Sequence, residues 1–496
     1  MNIIIYVTEV SSVNFSIKLM EEFEENYSVD NFLFFVYRNE IKLKILEKVN
    51  SSKVVIITQS YINQNTKENS INANRINEIE NKYTRDSIWD YVYQDRMLLY
   101  TRSGFLYKKK TSFNREQLLS KVINRFDVLE NLIDDFNPDF AVYCTQDFGT
   151  SISTLLFEIL NFRKKPIHIP IIAKFGNFFS LTNDIYGSWE FLEKSFKFNI
   201  NNKEFSVEKT TKDLLVNYKQ GNKTAFYITK TNKTPLLLKF IKKIKTIYKY
   251  IFKELRNKSD YLHIPLHKYA FDNILISLRK LIMSKKNFFV NYNEIENSKY
   301  IFFPLHLEPE LVLLVQSQPF IDQLNVIRNI SKNLPRNIQL VVKDHPVADG
   351  RREISFFKEL VQIPNVKILN SKINSIEIIK KSLGVITIIG SAGQEAFLHD
   401  KPVITLSNPF FNFLPSVNKI FNYDEIPHIV SKWDSFKPNM REQEVFLQTL
   451  INNSIDINLL GLIKDLSLKY KPKNVDNQNR LFMNFLISKI NKDFRK

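Results

Sequence analysis

At 496 residues the chain is too long for one ordinary hydrophobic core and predicts two or three domains. Hydrophobic and charged contents of 44% and 25% exclude a disordered chain, and a single cysteine, Cys144, excludes an internal disulfide framework and a four-cysteine zinc site. The formal net charge of +18 calls for an anionic partner: nucleic acid, an anionic membrane surface or an anionic substrate. The first residues, MNIIIYVTEVSSVNF, carry no basic n-region and too short an apolar run for a signal peptide. Nowhere do about 18 apolar residues run together, so no transmembrane helix is expected. With the lone cysteine this predicts a cytoplasmic protein.

Taken in order, Asn2 to Val7 is an apolar strand, followed by Thr8-Glu9 and a small-residue turn. Ser16 to Tyr27 has helical spacing, and Phe32 to Tyr37 and Val54 to Thr58 are further strands. Strand–helix–strand order predicts a parallel sheet with helices on its faces. Ser60 to Lys82 is polar, and Ser87 to Leu99 has aromatic and apolar residues at helical spacing with an adjacent Asp95-Arg96, read as a surface ion pair. Glu116 to Phe136 is an amphipathic helix, Phe140 to Cys144 a strand and Ser151 to Phe162 the next helix. Asp147 therefore lies just past a strand end, where an Asp beside Gly serves as a cap or turn residue, or as a catalytic carboxylate. Pro166 to Pro170 is a short strand, Lys174 to Asn183 a hairpin or loop, and Ser188 to Lys197 a helix.

The middle changes character. In Leu236 to Lys258 an apolar face (Leu237, Phe240, Ile241, Ile244, Ile247, Tyr248, Ile251) is rimmed by lysines. Such a helix either lies in an anionic membrane interface or packs between domains with a solvated basic back. Asp272 to Lys285 continues helical, which puts the domain junction between about Tyr261 and Ser298. The expected domains are 1–230, a helical basic insertion over 231–298, a second α/β domain over 299–470, and a C-terminal helix over 471–496 returning to the first domain.

In the second domain Tyr300 to Leu305 is a strand followed by His306 and Glu310, and Ile338 to Val342 a strand followed by Lys343 and His345. Leu383 to Ile389 is a buried strand broken by Gly390-Ser391-Ala392-Gly393, with a short helix from Gln394 to His399 and a strand from Val403 to Leu406. Small residues there let a ligand approach the backbone, and a helix start favours an anion. Glu395 can accept hydrogen bonds from a ribose diol, or simply complement the helix dipole. In a parallel sheet these strand ends share one edge. His306, Glu310, Lys343, His345, Ser391, Gly393 and Glu395 thus converge on one crevice suited to a nucleotide phosphate.

Four segments carry a resemblance: FFPLHLEPE (302–310), LVVKDHP (340–346), IPNVKIL (363–369) and TIIGSAGQEAFLHDKPVI (387–404). In this order they resemble the bacterial capsule polysaccharide synthesis family, over about Tyr300 to Phe410. KYTRDSIWDYVYQDR (82–96) and the strand before Asp147 are similar more weakly. Departures fall at Leu307, Glu308 and Gln394, where an aromatic, a Gln and a large apolar residue are frequent. The resemblance implies a GT-B glycosyltransferase: two Rossmann-like domains facing a cleft, the C-terminal one holding a nucleotide-sugar donor, including CMP-linked acidic sugars such as Kdo. It implies no metal or other cofactor, and a cell-surface glycan or glycolipid acceptor presented by the N-terminal domain. For an inverting displacement a carboxylate on that side must take the acceptor proton; Asp147 is the first candidate and Glu9 the second. Two other readings compete: a sugar-nucleotide epimerase or hydrolase of the same shape, and a non-catalytic assembly protein at the membrane surface. Nucleic acid is disfavoured, because the basic residues belong to no known binding module.

Overall fold

The computed structural model describes residues 1–64, 72–83, 87–99, 111, 113–145, 150–221, 266–463 and 475–494. Residues Leu236 to Lys258, the basic amphipathic stretch, and Asp147 lie outside them.

The N-terminal sheet is built from β1 (Asn2–Val7), β2 (Asn31–Val36), β3 (Val54–Thr58), β4 (Phe140–Tyr143), β5 (Ile167–Ile172) and β6 (Phe178–Thr182). β1 and β2 each bury five residues in a row. Helices such as Val13–Asn26, Arg115–Phe136 and Ser151–Phe162 cover the sheet, which is why its strands read as continuous apolar runs rather than alternating ones. The parallel order is β3-β2-β1-β4-β5. β6 adds antiparallel to β5, so the hairpin spans 167–182, and the stretch 174–183 read as a hairpin or loop is its turn and second strand.

The second sheet holds β7 (Tyr300–Pro304), β8 (Gln339–Lys343), β9 (Val366–Leu369), β10 (Gly384–Thr387), β11 (Val403–Thr405) and β12 (Val417–Lys419). All six are parallel, in the order β12-β11-β10-β7-β8-β9. Both sheets therefore have the doubly wound order, reversing between β1 and β4 in one and between β7 and β10 in the other. In such sheets ligands bind beyond the carboxyl ends of the strands at the reversal. Two Rossmann-like domains are thus present.

The chain then crosses back. The helix Met440–Asn452 packs on Glu190–Asn201 and Lys209–Lys219, helices of the N-terminal half. β13 (Ile455–Asp456) adds antiparallel to the outer edge of β6. The last helix, Val475–Phe494, lies on the N-terminal domain: the Phe482 ring is 5.1 Å from that of Phe15 and 5.3 Å from that of Phe179. Trp189 stacks on Phe410 at 4.0 Å, and one hydrophobic core runs from the N-terminal sheet through Phe397, Phe411 and Phe446 of the second half.

Two sequence expectations are corrected here. Asp95 and Arg96 do not form a surface pair. Asp95 is fully buried and pairs with Arg125 at 2.7 Å, because adjacent residues point in different directions while Arg125 faces it across the core. The Asp95 carboxylate also accepts from the backbone N–H groups of Ser151 at 3.1 Å and Met97 at 2.7 Å. The second correction is the helix expected from Gln394, which starts at Ser391, capped by Gly390. Gly393 is therefore inside it, not in the turn.

Candidate functional site

The site is built on the carboxyl edge of the C-terminal sheet. β7 delivers His306, β8 delivers Lys343 and, just beyond it, His345, and β10 feeds the helix Ser391–Leu398. His306 is held through its backbone: its N–H donates to Gln323 Oε1 at 2.7 Å and its carbonyl accepts from Gln323 Nε2 at 3.1 Å. Its ring is buried, and neither ring nitrogen has a hydrogen-bond partner among the described residues. Burial, with Lys174, Arg352 and His345 nearby, pushes its pKa down to about 3, so the imidazole is neutral. A Cβ on residue 390 would stand 3.0 Å from His306 Nε2 and 3.1 Å from Thr387 Oγ1, which is why Gly390 occupies that turn.

Lys343 is buried and donates to the Ile373 carbonyl at 3.1 Å. Burial lowers its pKa to about 8, against the opposing pull of Glu395 and Asp344. It is still mostly charged at neutral pH. Burial also lowers the pKa of His345, helped by Lys343 and two arginines. His345 Nδ1 accepts from the Val347 N–H at 3.2 Å, which leaves Nε2 as the protonated nitrogen of the neutral ring. Burial raises the Glu395 pKa, while Lys174, a hydrogen bond from Ser391 and Lys343 oppose the rise. Glu395 is half-buried on the first turns of its helix, so its carboxylate sits among two lysines and a hydroxyl.

Lys174 is a residue the sequence reading missed. It follows β5 with a left-handed φ of 55°, half-buried, and burial lowers its pKa against the pull of Glu310 and Glu395. The N-terminal domain thereby reaches into the C-terminal site. The available signal was a Lys followed by Phe175-Gly176 directly after a strand, the same pattern used for the other sites. Glu310 itself is exposed and precedes the short helix Leu311–Leu314.

Also missed was the support beneath the site. Arg352 Nε donates to both Asp344 oxygens at 3.1 Å, its Nη1 to Glu308 at 3.0 Å, and its Nη2 to the His306 carbonyl. Gln323 also donates to Glu308. This buried network ties the ends of β7 and β8 together, and it gives Glu308 a partner that a neutral Gln would satisfy less well. Gln394 donates to the carbonyl of Ala173 at 3.2 Å, across the domain boundary. Two of the three departures near the implied donor thus have structural partners. Gly393 is small for a packing reason: a Cβ there would meet the Phe411 ring at 2.8 Å and Thr387 at 3.1 Å.

A further open space lies elsewhere. A pocket of about 770 Å³ lies on the carboxyl edge of the N-terminal sheet, lined by Glu9, Arg38, Lys44, Lys48 and Arg96. Glu9 follows β1, is half-buried and accepts from Ser11 Oγ at 3.1 Å. The ends of β1 and β4 are bridged by Thr8 and Thr145, whose hydroxyls are 2.5 Å apart. A cavity of about 80 Å³ between the domains is lined in part by Lys174, Gly187, Leu311, Gln316 and Phe410.

Residues 229–415 match the capsule polysaccharide biosynthesis protein family. The match spans β7 to β11 and contains His306, Lys343, His345 and Glu395, so the resemblance of the four segments is borne out over this stretch. No curated protein matches the sequence. Among solved structures, the chain is similar to KpsC, a beta Kdo 2,7 transferase of Thermosulfurimonas dismutans. Identity is 13%, over 76% of this chain and 90% of that one, with a TM-score of 0.32. It is similar to the UDP-GlcNAc 2-epimerase of Neisseria meningitidis bound to UDP-GlcNAc, at 12% identity over 98% and 100% of the two chains, TM-score 0.22. It is similar to Anabaena Alr3699/HepE in complex with UDP-glucose, at 11% identity over 98% and 100%, TM-score 0.26.

Proposed function

We propose that this chain is a glycosyltransferase that moves a sugar from a nucleotide-activated donor to a cell-surface polysaccharide or glycolipid. The observation that carries the reading is the set Lys343, His345, His306 and Glu395 at the β7/β10 reversal, with Lys174 entering from the other domain. Two lysines beside one carboxylate suit a ribose–phosphate. Glu395 accepts from the sugar hydroxyls, while Lys343, Lys174 and the His345 N–H meet the phosphate charge. The two ring nitrogens of His306, without a partner among the described residues, offer a donor and an acceptor to a buried ligand group.

The chemistry is proposed as inverting and metal-independent. The acceptor hydroxyl attacks the anomeric carbon, the bond to the leaving phosphate breaks, and the cations stabilise the charge that develops there. The hydroxyl proton passes to a carboxylate of the N-terminal domain, Asp147 first and Glu9 second; Glu9 lines the 770 Å³ pocket, which is large enough to receive a sugar residue. A CMP-linked acidic sugar is the first donor to try. The setting is the inner face of the cytoplasmic membrane, where lipid-linked acceptors are exposed.

Thermal unfolding with CMP, UDP or GDP tests the reading: one of them raises the midpoint and the others do not. Product formation is then followed with and without acceptor. Turnover without acceptor would make the protein an epimerase or hydrolase, and no protection by any nucleotide would favour a non-catalytic assembly role.

A further inference from the structure

The helix Leu266–Lys285 has two faces that are both apolar in part. One is buried against the C-terminal domain through Met283, with Arg279 Nη1 donating to the Arg351 carbonyl at 2.8 Å and Lys280 pairing with Asp349 at 3.3 Å. The contact is close. Gly350 has φ 76°, and a Cβ there would come within 2.7 Å of the Ile276 carbonyl oxygen. The segment clamped in this way also carries His345 and Arg352.

The other face is exposed. Phe271, Ile274, Leu278 and Leu281 are 63%, 60%, 49% and 53% accessible, at spacings of three, four and three residues that place them on one stripe. No helix of the described residues is long and apolar enough to cross a membrane. Lys268, Lys285 and Lys286 are exposed along or beside the helix and its one acidic residue, Asp272, is buried, whereas Lys280 and Arg279 are answered by Asp349 and Glu353 on the packed side. Over residues 222–286 the sequence has sixteen Lys or Arg against three Asp or Glu, a net +13 of the chain's +18.

We infer that the Phe271–Ile274–Leu278–Leu281 face is a membrane-docking surface for anionic phospholipid. An apolar stripe of this length inserts at the boundary between headgroups and acyl chains, and the lysines bind the anionic headgroups. A protein partner would need a matching acidic rim, whereas a phospholipid surface supplies negative charge and apolar depth together. Because the helix is clamped to the loop bearing His345 and Arg352, docking sets the orientation of the donor edge relative to the bilayer. The inference rests on the proposed membrane-side setting but not on glycosyl transfer. Lipid binding is measured without turnover, so the two can fail separately.

The test is flotation of the full chain with vesicles of phosphatidylcholine alone or with phosphatidylglycerol. The wild type should float with the anionic vesicles only, and less so in high salt. The triple variant Phe271→Ser, Ile274→Ser, Leu278→Ser, with an unchanged unfolding midpoint, should bind about tenfold more weakly or worse. Equal recovery with both vesicle types overturns the inference. So does unchanged binding by the triple variant, which would assign lipid binding to the basic stretch 236–258. If the wild type instead self-associates in sedimentation and the triple variant does not, the face is an interface between copies and the inference is also wrong. Should the triple variant unfold early, Leu278→Ser alone is read in the same assay, with a smaller loss expected and the same overturning results.

Discussion

The two sheet edges have the same topology and opposite contents. Beyond β7 and β10 the edge is filled: Lys343, Glu395, His306 and the Arg352–Asp344–Glu308 network are packed together, each charge answered by another. Beyond β1 and β2 the edge is open among the described residues, with Glu9 and a cationic pocket of about 770 Å³, and a hydroxyl bridge joins the ends of β1 and β4. The doubly wound order supplies a crevice at each reversal and says nothing of its use. What differs is the support beneath the edge. A closed, pre-organised edge suits a ligand held the same way in every cycle, and an open one suits an acceptor that arrives and leaves.

If that division holds, substitutions of the N-terminal carboxylates should cost rate and those at the closed edge should cost binding or stability. The largest effect is expected from Asp147→Asn: a loss of about 10²–10⁴ in transfer rate with donor affinity unchanged. Glu9→Gln in the same assay should cost much less; the reverse result moves the base to Glu9. If neither variant slows transfer, the open edge is not where the acceptor is activated.

Next comes Arg352→Met, which strands two carboxylates at the closed edge and should cost about 3–5 kcal/mol in urea unfolding. A loss under 1 kcal/mol would mean the edge is not pre-organised by this network. Glu395→Ala should then weaken binding of the protecting nucleotide by about 1–3 kcal/mol in calorimetry while the unfolding midpoint without ligand stays put. Unchanged affinity would remove Glu395 from the donor site.

The pH dependence is smaller. Lys343, with a pKa lowered to about 8, is charged below that pH, and a bound phosphate would raise the value. Nucleotide affinity should therefore be flat below about pH 7 and fall above pH 8, by at most about tenfold per pH unit from this group. Lys343→Met should flatten that slope. The smallest effect concerns His306, whose ring nitrogens have no hydrogen-bond partner among the described residues; a buried polar atom left so costs about 1 kcal/mol or more. His306→Leu should leave stability equal or slightly higher and lower nucleotide affinity; a clear loss of stability would make the ring structural.

Local pattern was enough for most strands and helices and for the residues just past β7, β8 and β10, but not for Lys174 past β5 or for the short strands β12 and β13. The apolar runs at Asn2–Val7 and Phe140–Tyr143 can only be buried, and the parallel-sheet rule then brings His306, Lys343 and Glu395 to one edge without knowledge of any contact. The helix start at Ser391 was misread by three residues, because Gly393 looks like a turn until Phe411 is seen to leave no room for a Cβ. Pairing across long separations was invisible. Asp95 meets Arg125 rather than its neighbour, Arg352 gathers Asp344, Glu308 and the His306 carbonyl, and Lys174 enters the site from the other domain. The crossing of the chain back to β6 and the N-terminal core had only a bare expectation behind it. The physical reason is one of range. Periodicity records whether a residue faces the core of its own element, whereas the partner of a buried charge depends on which elements pack together, and that is decided only when the two sheets and their crossing helices close on one another.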